Sequence, residues 1–261
     1  MKFKKVHLNF GSKDSGISWN YPELYADNYL RELISIDSFV SNIDDAQPDM
    51  STACTLCNYV SKLWVHDGKN VPDKADPLYI LTEVKRGKRF RCVEYSILLN
   101  GFLKALGIPS RVVSLKTSDA QTRKTGAGHV VVEFFCRSFK KWILADPQVS
   151  FIPIFENTPL NAVELQNHIT ENKNILNAIY TYTEAKEPDV MSSNYEYFEF
   201  VYQYLYYFSF LIDYHNNKDI THLMLMPKEA CLPVVFQITN KITGHIGTNS
   251  LSEFYKVPNL K

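Results

Sequence analysis

The 261-residue sequence has no charge excess, because 28 Lys and Arg balance 28 Asp and Glu. Without a basic surplus it carries no electrostatic footprint for nucleic acid or an anionic membrane. It also lacks an apolar run of membrane length. The densest apolar stretch, FEFVYQYLYYFSFLIDY at 198–214, is interrupted by Glu199, Gln203 and Asp213, whereas a spanning helix needs about 20 predominantly apolar residues. The opening MKFKKVHLNFGSKDSG has basic residues but no apolar stretch of the length a secretory signal needs. Cysteine is sparse and odd in number, at 5 scattered positions, so no disulfide framework is implied. A reducing cytoplasm is the expected location. The CxxC at Cys54 and Cys57 has no second pair of zinc ligands near it. It reads instead as two core-facing residues of a helix. Internal repeats are absent.

What is present is ordinary for a folded chain, with 45% hydrophobic residues. Residues 21–40 read as an amphipathic helix with Leu24, Leu30, Leu33 and Ile34 on one side. A second helix is expected from Met50 to Trp64, with Ala53, Leu56, Cys57, Val60 and Leu63 at helical spacing. Residues 66–77 are a loop by their Gly, Pro and Asp content, and 77–87 form a short helix opened by Pro77 and closed by Gly87. The basic residues Lys85, Arg86, Lys88, Arg89 and Arg91 read as a solvated loop, with local positive potential beside Cys92 as the less favoured alternative.

The next element begins at Cys92. In CVEYSILLNGFLKAL only Glu94, Ser96, Asn100 and Lys104 are clearly polar, so the helix should be buried on most sides. Gly107 is placed for a left-handed C′ position, and Pro109 follows it. Strands are expected at 110–115, 129–135 and 141–146, with a small, polar, mobile loop at 116–128. A proline-containing loop and a surface helix, NAVELQNHI, come next. Beyond them NYEYFEFVYQYLYYFSFLID and THLMLMPKEA read as two strands of a hairpin turning at HNNKD.

Cys92, His129 and Asp146 all fall at the ends of these middle elements. At a helix N-terminus a thiolate meets unpaired N–H groups and the positive end of the dipole, which lowers its pKa. His129 opens one strand and Asp146 closes the next. A hairpin loop of two or four residues leaves both on one face within side-chain reach, and an odd-length loop would separate them. The expected roles are Cys92 as nucleophile, His129 as general base and then acid, and Asp146 as the group orienting the imidazole.

The run RCVEYSILLNGFLKALGIPSRVV…GHVVVEFF…KWILADPQ resembles the transglutaminase-like superfamily of cysteine enzymes. The carrying features are Cys92 starting a helix, the Gly107-Ile108-Pro109-Ser110-Arg111 turn, His129 opening a strand and Asp146-Pro147. The resemblance covers about residues 60–170. It implies an α+β fold: a transglutaminase-like, papain-like core with the Cys-bearing helix packed on an antiparallel sheet. The whole chain, 1–261, is then one domain, with a helical part at 20–70, a catalytic core at 77–170 and C-terminal strands at 190–261.

The resemblance further implies acyl transfer from an amide through a Cys-His-Asp triad. Hydrolysis of a peptide or protein amide bond is preferred to transfer onto an amine, and a binding module that retains the fold is the non-enzymatic alternative. No metal or organic cofactor is needed. Related enzymes draw an oxyanion donor from a side chain upstream of the cysteine; Trp64, His66 and Asn70 are available, and Trp64 ranks first. Phe90-Arg91 and Val93 depart from the glycine and tryptophan that often flank the family's cysteine, so substrate specificity does not carry over.

Overall fold

A computed structural model describes residues 5–44, 46–171, 177–180 and 194–259. The chain runs through α1 (Asp27–Ser35), α2 (Ser38–Ser41), α3 (Asp49–Ser61), α4 (Pro77–Lys85) and α5 (Cys92–Ala105) before its first strands. These are β1 (Ser110–Lys116), β2 (Gly128–Cys136) and β3 (Lys141–Ala145), followed by β4 (Phe151–Phe155), β5 (Thr158–Pro159), α6 (Ala162–Thr170) and β6 (Asn177–Tyr180). The last part contains α7 (Asn194–Tyr202), β7 (Tyr207–Leu211), β8 (His222–Leu225), β9 (Val235–Phe236), β10 (Asn240–Lys241), β11 (His245–Thr248) and α8 (Leu251–Phe254).

A six-stranded sheet in the order β11-β8-β7-β1-β2-β3 organises the molecule. Its pairs are antiparallel except β11 with β8. This is the α+β arrangement expected, with α5 packed on an antiparallel sheet. On one face Leu56, Val60, Ile80, Leu98, Leu99 and Phe102 meet Val132, Phe134 and Ile143 of β2 and β3. On the other, Leu165, Tyr197, Val201 and Phe254 cover Val113, Leu115, Val131, Phe208 and Leu223. A buried ion pair, Arg111 to Glu133 at 2.6 Å, lies within this second layer, and Arg111 also donates to the Phe254 carbonyl at 2.7 Å.

The boundaries of α5 follow from local chemistry. At its start the Arg91 N–H donates to the Glu94 carboxylate at 3.0 Å, while the Arg91 guanidinium pairs with the same side chain. At its end Gly107 takes φ +71°, Ile108 N–H returns to Leu103 O and Gly107 N–H to Lys104 O. This closure satisfies the last carbonyls and needs a residue tolerant of positive φ. Within the helix, Gly101 permits close approach: a Cβ there would lie 2.8 Å from Pro77 Cβ.

Several expectations are corrected. Residues 21–40 do not form one helix. Asp37 accepts from the N–H groups of Phe39 and Val40 and so starts α2 anew, and Leu24 lies exposed ahead of α1. The helix α6 is packed, with Ala162, Val163, Leu165, Gln166 and Ile169 buried, and the loop before it contains β4 and β5. The stretch read as one aromatic strand is helical over 194–202 and extended only over 207–211. Tyr197, Val201 and Tyr204 are buried at helical spacing, so aromatic content misled where periodicity was decisive. Strand β7 does pair with β8 as a hairpin. The run 181–193, into which the expected C-terminal strands reached, lies outside the described residues.

Candidate active site

Cys92 is the first residue of α5 and is partly exposed. Ser96 fixes that turn against the sheet by donating to the Val130 carbonyl at 2.9 Å. The β2–β3 hairpin pairs Cys136 with Lys141 and Val132 with Ala145, which leaves a four-residue loop at 137–140. This even-length connection places His129 and Asp146 on one face. His129 Nε2 lies 2.6 Å from Asp146 Oδ2, with both side chains buried. Since Nε2 is engaged with the carboxylate, Nδ1 is the ring nitrogen left for the sulfur.

Asp146 is held from other sides as well. Its Oδ1 accepts from Gln148 N–H at 3.1 Å, and its Oδ2 accepts from the Tyr197 hydroxyl at 3.0 Å. Helix α7 and the turn after it close over the histidine, with Phe200 and Tyr204 ring centroids 5.1 and 5.8 Å from the imidazole. These aromatics exclude water from the His129–Asp146 pair and strengthen its electrostatics.

Charge in the site is set by opposing effects. Burial disfavours the Cys92 thiolate, but hydrogen bonds from His129 and His66, the charge of His129 and the Val130 N–H outweigh it and bring the thiol down to about 6. Burial likewise disfavours the His129 cation, yet the Asp146 charge and hydrogen bond, reinforced by Cys92, hold its pKa up at about 10. At neutral pH the resting pair is therefore a thiolate beside an imidazolium. Burial has the reverse outcome at α3, where Cys54 rises to about 11 and Cys57 well above its ordinary value.

Trp64, the expected oxyanion donor, does not face the thiol with a free N–H. Its indole donates to Phe90 O at 3.1 Å, and its ring stacks on Tyr95 with centroids 3.9 Å apart. His66, ranked below Trp64, is half-buried in the loop before Cys92 and is among the causes that lower the Cys92 thiol. Tyr197, Phe200 and Tyr204 were missed because they fell in the misread strand; their helical spacing was the available signal. Among the described residues, no three His, Cys, Asp or Glu side chains converge as metal ligands.

Residues 37–147 match the family model of the transglutaminase-like superfamily, from Asp37 through Asp146-Pro147. The match spans less than half of the chain and contains Cys92, His129 and Asp146. No curated protein matches the sequence. Among solved structures, a candidate cysteine protease from Cytophaga hutchinsonii is similar at 15% identity and TM-score 0.37, over 54% of this chain and 43% of that one. A protein titled a TGase is similar at 18% identity and TM-score 0.32, over 46% of this chain and 31% of that one. Calcium-bound LapG of Legionella pneumophila aligns at 11% identity and TM-score 0.34, over 64% of this chain and 94% of its own. The chain thus spans less than half the length of the first two, and nothing about its reaction follows from these distant likenesses.

Proposed function

We propose that the chain is a thiol enzyme that takes an acyl group from a peptide or protein amide onto Cys92 and passes it to water. The observation that carries this reading is the 2.6 Å contact between His129 and Asp146, with Cys92 in the first turn of α5 as a thiol whose pKa His129 helps to lower. The Cys92 thiolate attacks the carbonyl carbon, forming the C–S bond and an oxyanion. Collapse breaks the C–N bond while the His129 imidazolium gives its proton to the leaving amine. Neutral His129 then takes a proton from water as the oxygen attacks the thioester. The second collapse releases a carboxylic acid and restores the thiolate–imidazolium pair. Asp146 keeps the ring oriented and stabilises its charged form throughout.

One transglutaminase-like domain over 1–261 suits this reading, since β7, β8 and β11 extend the sheet that bears His129. A reducing, cytoplasmic setting suits it too, because the nucleophile has to remain a thiol and all five cysteines are free. No helix among the described residues is long and apolar enough to cross a membrane. The test is incubation with a peptide library, with and without a primary amine, against the protein and its Cys92→Ala variant. Cys92-dependent appearance of new carboxyl termini or free carboxamide hydrolysis is expected. Cys92-dependent amine incorporation alone would replace water by an amine acceptor, and turnover unchanged in Cys92→Ala would exclude the thiol mechanism.

A further inference from the structure

Lys116, at the end of β1, is a buried cation that the mechanism above does not use. It is 9% exposed, and its ammonium donates to the Ser209 hydroxyl at 3.1 Å. Among the described residues no carboxylate forms an ion pair with it. Arg111, buried on the same strand, has Glu133 at 2.6 Å instead. Burial brings the lysine down to about 8, with no acid to offset the effect, so it is still largely charged at neutral pH. Buried charges are ordinarily paired, and this one has only a hydroxyl.

Strand pairing places this ammonium on the sheet face that carries the nucleophile. Val130, Ser114, Ser209 and Met224 lie opposite one another in one row across β2, β1, β7 and β8. The first turn of α5 is fixed at the Val130 end, where Ser96 Oγ lies 2.9 Å from Val130 O and 3.1 Å from Cys92 O. Lys116 meets the row at Ser209, two strands further on, which is about 10 Å at the usual spacing of ~4.8 Å between strands. Beyond it, Leu211, His222 and His245 continue the same face in the adjoining row. The two imidazoles stack with centroids 4.5 Å apart. Burial brings His222 down to about 4 and lowers His245 as well, so both rings are neutral and answer no charge. Ser114, His222 and His245 are half-buried, which leaves the strip open to solvent on both sides of the Lys116–Ser209 contact.

Resting on the acyl-transfer reading above, the geometry points to Lys116 and Ser209 as a subsite for a substrate carboxylate, which makes the substrates peptides with an acidic group about three residues from the scissile amide. An extended peptide advances about 3.3 Å per residue, so about three residues span the distance from Cys92 to the subsite. The side chain of Asp or Glu and a free C-terminus present the same carboxylate. Either accepts from the ammonium and from the Ser209 hydroxyl, whose oxygen already accepts from Lys116 and whose proton is free to be given.

Binding is read first on the full chain carrying Cys92→Ala, where no turnover occurs. The signals are the ring resonances of His222 and His245 in a proton–carbon NMR titration at constant pH and ionic strength. The probes are N-acetylglycine, with a terminal carboxylate, and N-acetylglutamic acid α-amide, with a side-chain one. N-acetylglycinamide and N-acetylglutamine α-amide are their neutral counterparts. Saturable shifts are expected with a carboxylate and not with its amide, and the tighter probe identifies the source. Lys116→Met in the same background keeps the stem without the charge and should weaken binding about tenfold or more. If that variant does not fold, by near-ultraviolet circular dichroism, Lys116→Gln replaces it. No saturable shift, equal shifts from acid and amide, or binding unchanged without the ammonium overturns the subsite. Applied to the active protein, the peptide library should yield cleaved peptides enriched in a carboxylate about three residues from the cut, and Lys116→Met should erase the enrichment. Cleavage without that enrichment overturns the substrate assignment. A parent protein that cleaves nothing fails the acyl-transfer reading, a separate outcome on which the titration does not depend.

Discussion

Lowering the pH should separate Cys92 from every other thiol in the protein. With its pKa at about 6, half of Cys92 is thiolate at that pH. An ordinary thiol titrating near ~8.5 is then only about 0.3% ionised, so the advantage in thiolate fraction is roughly 160-fold. Part of it is lost because nucleophilicity falls with pKa; a Brønsted slope near 0.45 over about 2.5 pH units costs roughly 13-fold. The net expectation is alkylation of Cys92 about tenfold faster than a free model thiol at about pH 6, with the advantage gone by about pH 9. Cys54 and Cys57, whose thiols burial pushes up, should lag further still. The assay is timed iodoacetamide labelling at a series of pH values, quenched and mapped by mass spectrometry. His129→Ala should abolish the low-pH advantage, because the hydrogen bond and the charge of His129 help to hold the thiolate. The reasoning fails if Cys92 at about pH 6 is labelled no faster than the model thiol, or if His129→Ala leaves its pH profile unchanged.

Asp146→Asn keeps the shape of the side chain but removes the charge that holds His129 protonated. Acylation of Cys92 by p-nitrophenyl acetate should fall about 100-fold or more, the lower end of what acid–base catalysis contributes, and stopped-flow release of nitrophenolate measures it. Arg111→Met leaves Glu133 charged and buried, with Ala162 N–H and the Tyr255 hydroxyl as its remaining donors. Breaking such a pair costs about 3–5 kcal/mol, read from urea unfolding; a loss below about 1 kcal/mol would show that the charge is relieved by water. Limited proteolysis should release no stable folded fragment beginning near residue 190, because β7 pairs directly with β1. A protease-resistant C-terminal fragment with native-like circular dichroism would show two separable units.

The legible part of the site was the part built from local rules. The start and stop of α5, with Gly107 and Pro109 beyond it, are short-range chemistry, and they placed Cys92 at a helix N-terminus. The parity of the β2–β3 connection sufficed to bring His129 and Asp146 to one face, and the observed loop is the four-residue alternative. What the sequence did not disclose depends on segments meeting from a distance. Tyr197 reaches Asp146 only because α7 folds back over the sheet. Trp64 spends its indole N–H on Phe90 O because residues 64–70 run along 89–90, a pairing of separate segments. The break between α1 and α2 was missed for another reason. Asp37 reads as a polar residue in an amphipathic pattern until Tyr59 and Lys85, from other helices, are seen to engage its carboxylate.

The central claim is that Cys92 forms and discharges an acyl thioester with His129 as its proton carrier. Brief incubation with p-nitrophenyl acetate at neutral pH, acid quench and peptide mapping tests this most directly. A single acetyl group on Cys92 is expected. It should disappear with time in the parent protein and persist in His129→Ala, because the variant has no base to activate water. Acetylation absent from Cys92, or lost equally fast with and without His129, would contradict the account.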